Sequence, residues 1–217
     1  MPLYSHPTYP NFHLVEHPLV AHKLTLLRDK NSNKKLFKEL VHEITLLLAY
    51  EATANLPLLS TTIETPLETA EMPLIAGKKS VILPILRAGL GMVDAFLSLM
   101  PGARVGHIGM YRDEETLEPH TYFFKIPPSC NERIAFILDP MLATGGSTSA
   151  AITRLKSAGL SRMKLVCLLA SPEGVERISK DHPDVKIFSA ALDRELDEHG
   201  YIRPGLGDAG NRLFGTR

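Results

Sequence analysis

Asp139 and the small-residue run Thr144-Gly145-Gly146-Ser147-Thr148 stand close together in the chain, and their types suit two kinds of chemistry. The run offers backbone N–H groups and three hydroxyls at the head of a helix, where the macrodipole favours an anion; a phosphate is the obvious guest. No acidic side chain between Met141 and Ser149 would repel it. Asp139, just outside that cradle, could accept hydrogen bonds from sugar hydroxyls or from a metal-bound water. One phosphate and one sugar could therefore share the loop. The same residues also serve as plain cap and turn formers.

A second loop offers a cation. Arg87 opens Arg87-Ala88-Gly89-Leu90-Gly91, and a guanidinium on a tight glycine turn can grip a diphosphate through paired hydrogen bonds. Arg112 is a further candidate, although Asp113, Glu114 and Glu115 beside it could merely pair with it on a solvated loop. Two short motifs carry less. His13-Leu14-Val15-Glu16-His17 matches the spacing H-x-x-E-H, but Pro18 opposes the helix that would bring both imidazoles to one zinc ion. Gly205-Leu206-Gly207-Asp208-Ala209-Gly210 spells G-x-G-x-x-G, yet the residues after it are too few for the helix and strand of a dinucleotide unit.

Strands ending at the two loops must hold them together. Ile134 to Leu138 is a continuous apolar run, the pattern of a strand covered on both faces, and Ser149 to Ala158 has the composition of a packed helix. Ser80 to Leu86 repeats the plan, running through the Arg87 loop into a helical stretch from Met92 to Leu99. Helices are expected over Leu19 to Arg28, Lys35 to Asn55 and Pro172 to Lys180. Strands are expected over Leu58 to Ile63 (an edge strand), Lys164 to Ala170 and Val185 to Ala190. Arg104 to Tyr111 and His120 to Ile126 form a joined pair that projects as a hairpin and could cover the site. Such alternation predicts an α/β fold with a central, mostly parallel sheet flanked by helices. Ligands would collect beyond the carboxyl ends of the strands, so both loops face one crevice.

The wording of these loops resembles one family. Asp139-Pro140-Met141-Leu142-Ala143-Thr144-Gly145-Gly146-Ser147 is similar to the phosphoribosyl diphosphate (PRPP) loop of uracil phosphoribosyltransferases, including Pro140 where relatives acting on other bases carry a second acid. Pro84 to Asp94 resembles that family's diphosphate loop, Ala103 to Leu117 the segment carrying a diphosphate-reaching arginine at 112, and Gly200 to Thr216 its uracil loop. The resemblance runs from about His17 to the C-terminus. It implies a type I phosphoribosyltransferase fold with a projecting β-arm and a C-terminal base-binding loop region, and transfer from PRPP to N1 of uracil, giving UMP and diphosphate. It assigns catalysis to Asp139, Arg87 and Arg112. PRPP binding falls to these three with Pro140, Met141, Leu142, Ala143, Thr144, Gly145, Gly146, Ser147 and Asp208, and uracil binding to Ile202, Gly207, Asp208 and Ala209. Mg²⁺ would arrive as Mg-PRPP, without a direct protein ligand. A homodimer or larger assembly is implied, as is activation by GTP in some members. Asn211 departs from the aspartate common in the family, and Arg203 stands where an apolar residue is expected.

Composition agrees with a single domain spanning residues 1–217, with residues 1–16 as an N-terminal arm whose first part, Met1 to Phe12, with prolines at 2, 7 and 10, reads as loose or draped over a partner. A chain of 217 residues with 44% hydrophobic content can bury a full core. The balance of 24 basic and 24 acidic residues leaves no electrostatic footprint for nucleic acid or an anionic membrane. Cys130 and Cys167 show no C-x-x-C spacing and suit reduced thiols in a cytoplasmic enzyme. Two rivals remain: another base on the same PRPP platform, and a non-catalytic nucleotide sensor or RNA-binding regulator on the same scaffold, the latter opposed by the neutral charge.

Overall fold

The computed structural model describes residues 4–5, 7–78, 80–112 and 119–216, with the backbone alone at Tyr4, Ser5, Arg112 and Pro119. In chain order the strands are β1 (Tyr4–Ser5), β2 (Phe12–Leu14), β3 (Leu58–Glu64), β4 (Thr69–Ile75), β5 (Val81–Leu86), β6 (Arg104–Val105), β7 (His107–Arg112), β8 (Pro119–Lys125), β9 (Ala135–Leu138), β10 (Met141–Leu142), β11 (Met163–Ala170), β12 (Lys186–Leu192), β13 (Glu195–Leu196) and β14 (Ile202–Arg203). The helices are α1 (Pro18–Arg28), α2 (Lys34–Thr53), α3 (Val93–Leu99), α4 (Gly146–Ser157), α5 (Pro172–Asp181) and α6 (Ala209–Phe214).

The main sheet runs β1-β2-β12-β11-β9-β5-β7-β8. It is parallel from β2 to β7 and antiparallel at its two outer pairs. From β5 the chain proceeds outward to β7, and from β9 it proceeds the other way to β11 and β12. The topological switch point therefore lies between adjacent β5 and β9, the place where a ligand crevice opens. Their register sets Pro84 opposite Leu138, so Arg87 and Asp139 leave neighbouring strands on the same edge.

Both faces of the sheet are covered, which explains why β5, β9 and β11 read as unbroken apolar runs. On one face α2 buries Phe37, Leu40, Val41, Ile44 and Leu48, its i, i+3, i+4 stripe, against Phe136, Val166 and Phe188. Each such side chain contributes roughly 1.5–3 kcal/mol of transfer free energy. On the other face Ile152 and Leu155 of α4 and Val175 and Ile178 of α5 pack on Ile137 and Leu165.

The structure departs from the sequence reading in two places. The N-terminal segment is not loose where it is described: β2 pairs in parallel with β12, and Phe12 is fully buried. Strands this short escape any periodicity test. Thr69–Ile75 is an unanticipated strand that joins β3 in a separate, exposed two-stranded hairpin, so β3 is not an edge of the main sheet. The β7–β8 pair does project, since β7 touches β5 only at Ile108 and Gly109 and continues beyond it; its connection, 113–118, lies outside the described residues. The two histidines of H-x-x-E-H serve separate ends: His13 is buried in β2 with its ring stacked on Phe188, whereas the Nδ1 of His17 accepts the Leu19 N–H and caps α1.

Lys164, on β11, is buried over the rings of Phe136 and Phe188, and its ammonium donates to the Ala52 carbonyl and the Asn55 side-chain oxygen at the C-terminal end of α2. Burial, aided by Lys186, lowers its pKa from 10.5 to about 8. Between those values the unfolded chain holds the extra proton, so this group makes stability rise with pH from about 8 to about 10.5 and is silent below. Thermal melts of the wild type and Lys164→Met between pH 7 and 10 should therefore diverge in favour of the wild type above pH 8. Parallel curves would remove the buried ammonium from the account.

Candidate active site

At the carboxyl edge of β5 and β9 lies a cleft of about 330 Å³ lined by Arg87, Asp139, Met141, Ala143 and the run Thr144 to Thr148. The polypeptide builds it from the strand–loop–helix unit. Gly145 takes φ +73°, a left-handed conformation open to glycine, and turns the chain directly into α4. The N-cap residue Gly145 has no side chain to cap α4, Thr144 Oγ1 accepts the Gly146 N–H only at 3.5 Å and no acid occupies the first turn, so Gly146, Ser147 and Thr148 present the helix N-terminus to the cleft. The helix begins three residues before the sequence reading placed it, which brings the glycine and hydroxyls into its first turn.

Asp139 lies partly buried on the floor of this cleft. Its Oδ2 accepts the Thr148 hydroxyl at 2.7 Å and its Oδ1 accepts the Met141 N–H at 3.3 Å. Burial pushes its pKa above the ordinary carboxylate value, and the two hydrogen bonds oppose that rise. Arg87 is exposed at the opposite wall, after a cis Leu86–Arg87 peptide bond, with Nη2 3.5 Å from the Thr216 hydroxyl; that hydroxyl donates to the Asn211 side-chain oxygen at 3.0 Å. Asn211 thus keeps the hydrogen bond that an aspartate would make there, without the charge.

A second cleft, about 240 Å³, adjoins the first and shares Ala88, Met141, Ala143 and Gly200 with it. Ile202, Gly207, Asp208 and Ala209 line it, so the four positions expected to read a base converge. Asp208 uses Oδ1 to cap α6 through the Asn211 N–H at 2.7 Å. Two expected PRPP residues do not face either cleft. Leu142 is fully buried on the α4–α5 side of the sheet, and Pro140 is buried with its carbonyl accepting the N–H groups of Leu168 and Leu169. The Arg112 side chain lies outside the described residues.

Sequence reasoning missed the props of this site. Ser171 donates its hydroxyl to the Ala143 carbonyl at 2.7 Å and its N–H to the Leu142 carbonyl at 2.9 Å, while its oxygen caps Gly174 N–H. Gly174 lies so close beneath the loop that any Cβ would strike the carbonyl oxygens of Ala143 and Leu142. His199 and Tyr201 also line the clefts. A Ser-Pro helix start was visible at 171–172, but nothing local linked it to residue 143.

A doubly covered parallel sheet with a glycine-turned helix N-terminus and an arginine loop at its switch point, next to a second cleft, is the scaffold of the type I phosphoribosyltransferase class. The family model described as Uracil phosphoribosyltransferase matches residues 14–216. The chain belongs to the uracil phosphoribosyltransferase family. Proteins named uracil phosphoribosyltransferase from Exiguobacterium sp. and Enterococcus faecalis are 57% identical over 205 residues and 55% identical over 206, covering 94% and 95% of this chain and 98% and 99% of their own. The solved structure of the AQ2163 protein from Aquifex aeolicus superposes with a TM-score of 0.88 at 35% identity, covering 94% of this chain and 97% of its own. A hypoxanthine-guanine phosphoribosyltransferase from Bacillus anthracis, 10% identical with a TM-score of 0.50, covers 74% of this chain and 80% of its own and shares the fold.

Proposed function

We propose that this chain transfers the phosphoribosyl group of PRPP to N1 of uracil, giving UMP and diphosphate. One observation carries the reading: a polar cleft with a helix N-terminus, a partly buried carboxylate and an arginine is continuous, through four shared residues, with a second cleft formed by the 202–209 loop. Two joined compartments suit a phosphorylated sugar and a flat base that must meet at one carbon.

The N–H groups and hydroxyls from Thr144 to Ser147 hold the 5'-phosphate, and Asp139 accepts hydrogen bonds from the ribose hydroxyls. Arg87 and Arg112 hold the diphosphate. As N1 bonds to C1, the C1–O bond to diphosphate breaks and its electron pair leaves with that group, while the N1 proton passes to solvent or to the released diphosphate; the sugar acquires cationic character, which the Asp139 carboxylate stabilises. Backbone groups of the 202–209 loop present a fixed edge to the base. The donor set fits Mg²⁺ carried by PRPP: both Asp139 oxygens keep a lone pair and could accept hydrogen bonds from water on an ion that usually keeps several waters and is held largely by substrate phosphates. When bound it supplies charge neutralisation for the diphosphate.

The same proposal includes a homodimer or larger assembly, cytoplasmic location and activation by GTP. The exposed β3–β4 hairpin supports assembly, with Leu58, Leu67, Leu74 and Ile75 between 53% and 95% exposed. Among the described residues no helix is long and apolar enough to cross a membrane.

Diphosphate release with PRPP and Mg²⁺ and each of uracil, cytosine, hypoxanthine and adenine, with and without GTP, tests the proposal; UMP formed with uracil alone is the expected result. Turnover with another base would change the assignment, and PRPP binding without turnover would favour the sensor. Arg87→Ala should lower kcat/KM for PRPP on the order of 100-fold, the scale of one lost charge-stabilising contact. Unchanged turnover would refute the role of Arg87.

A further inference from the structure

The loop that frames the base cleft is gripped from behind. Gly205 lies between Ile202 and Gly207, and both of its backbone polar groups are taken by one buried ion pair. Arg28, the last residue of α1, meets Asp193 in a bidentate pair, Nη1 to Oδ2 at 2.7 Å and Nη2 to Oδ1 at 2.5 Å. Asp193 Oδ2 also accepts the Gly205 N–H at 2.9 Å, and Arg28 Nη1 also donates to the Gly205 carbonyl at 2.8 Å. The Asp193 side chain is 5% exposed and that of Arg28 22% exposed. Arg212 adds an independent hold, donating to the carbonyls of Leu206 and Leu27 at 2.9 and 2.8 Å.

We propose that Arg28 and Asp193 are positioning residues for base selection: they lock Gly205 by both its N–H and its C=O, so that the neighbouring backbone meets the base as a rigid edge. The proposal rests on the assignment of the 202–209 loop to uracil. Neither side chain lines either cleft, so neither contacts substrate. Their geometry is specific to the task. A planar guanidinium can fork to a carboxylate and still reach a carbonyl, whereas a lysine ammonium keeps the charge and loses the fork. Gly205 must remain glycine for the grip to exist, since it holds φ +64° and a Cβ there would run into the Ile202 carbonyl. Uracil and cytosine differ in the hydrogen-bonding groups at C4 and N3, so discrimination depends on where the loop places its donors and acceptors. A site that reads polar groups rejects the wrong isostere steeply only while that placement holds. A charge pair with one member buried and the other partly so is a poor source of net stability, so its forked contact with Gly205 points to holding the loop in place instead.

The test is steady-state kinetics of the full-length protein with Arg28→Lys and Asp193→Asn, each checked for folding by circular dichroism and thermal melting. The expected result is a uracil KM raised about tenfold, the scale of one lost charged hydrogen bond, with PRPP KM within about twofold. Relative turnover of cytosine should rise, and the double variant should cost little more than either single one, because both changes release the same peptide. Should Asp193→Asn fail to fold, Arg28→Lys, at the more exposed member of the pair, carries the test. Unaltered uracil KM in folded variants, or uracil and PRPP KM values rising together, overturns the proposal alone. Wild-type protein that binds PRPP but forms no UMP from uracil overturns the loop assignment and the proposal with it.

Discussion

Replacing Asp139 with Asn is expected to lower kcat by roughly 10²- to 10³-fold while raising the melting temperature, a combination that misfolding cannot produce. The carboxylate faces the cleft and supplies the one acidic side chain lining the polar compartment among the described residues. In the proposed reaction its charge stabilises a sugar that becomes cationic, and removing one preorganised electrostatic partner commonly costs that much in rate. The stability gain follows from the direction of the pKa shift. The folded-state value lies above the ordinary 3.8, so in the window between the two the folded protein holds more protons than the unfolded chain. Stability falls as pH rises through that window, which is the cost of holding the charge in the fold. Asn removes the charge and keeps an oxygen for the Met141 N–H. The same shift predicts an acid limb in kcat/KM for PRPP above the usual carboxylate range, absent from Asp139→Asn. A variant that melts lower than the wild type, or that keeps the limb, would assign the titration elsewhere.

Legibility in the sequence tracked how local each feature is. The Asp139–Ser147 loop could be read because its strand, turn and helix are consecutive and its donor-rich, acid-free composition is unusual at a helix start. The parallel sheet could be read because β5, β9 and β11 are covered on both faces and therefore apolar throughout. The β3–β4 hairpin could not, because all but two of its residues, Thr61 and Ala70, are exposed and it has no buried face to impose alternation. Nor could the hold on the base loop: Arg28 and Asp193 are separated by 165 positions, and an arginine ending a helix has the ordinary explanation that cations suit helix C-termini. Long-range polar contacts leave no periodic trace. They are the part of the site that only the fold reveals, and they lie behind the substrate-facing residues rather than among them.

Gly174→Ala should impair PRPP use without touching the substrate. Gly174 is in the first turn of α5, where alanine is the better helix former by about 1 kcal/mol, so local propensity alone predicts stabilisation. The tertiary contact decides otherwise. An added methyl would overlap the Ala143 carbonyl oxygen and lie 2.7 Å from that of Leu142, both backbone atoms that no rotamer change can withdraw. Either α5 moves back, breaking the Ser171 hydroxyl bond to the Ala143 carbonyl, or the loop lifts and carries Thr144 and Gly145 out of register with the α4 N-terminus. Misplacement of such a cradle by about 1 Å costs on the order of 100-fold in rate. The expected signature is a PRPP KM raised at least about tenfold, a lower melting temperature and a uracil KM that changes little, since the loop at Gly205 is held by Arg28 of α1 and by Asp193, the residue after β12. Arg28→Lys should show the reverse split. Two remote substitutions with opposite effects on the two substrates would establish that the clefts are supported by separate parts of the fold; identical effects would show that one flexible unit carries both.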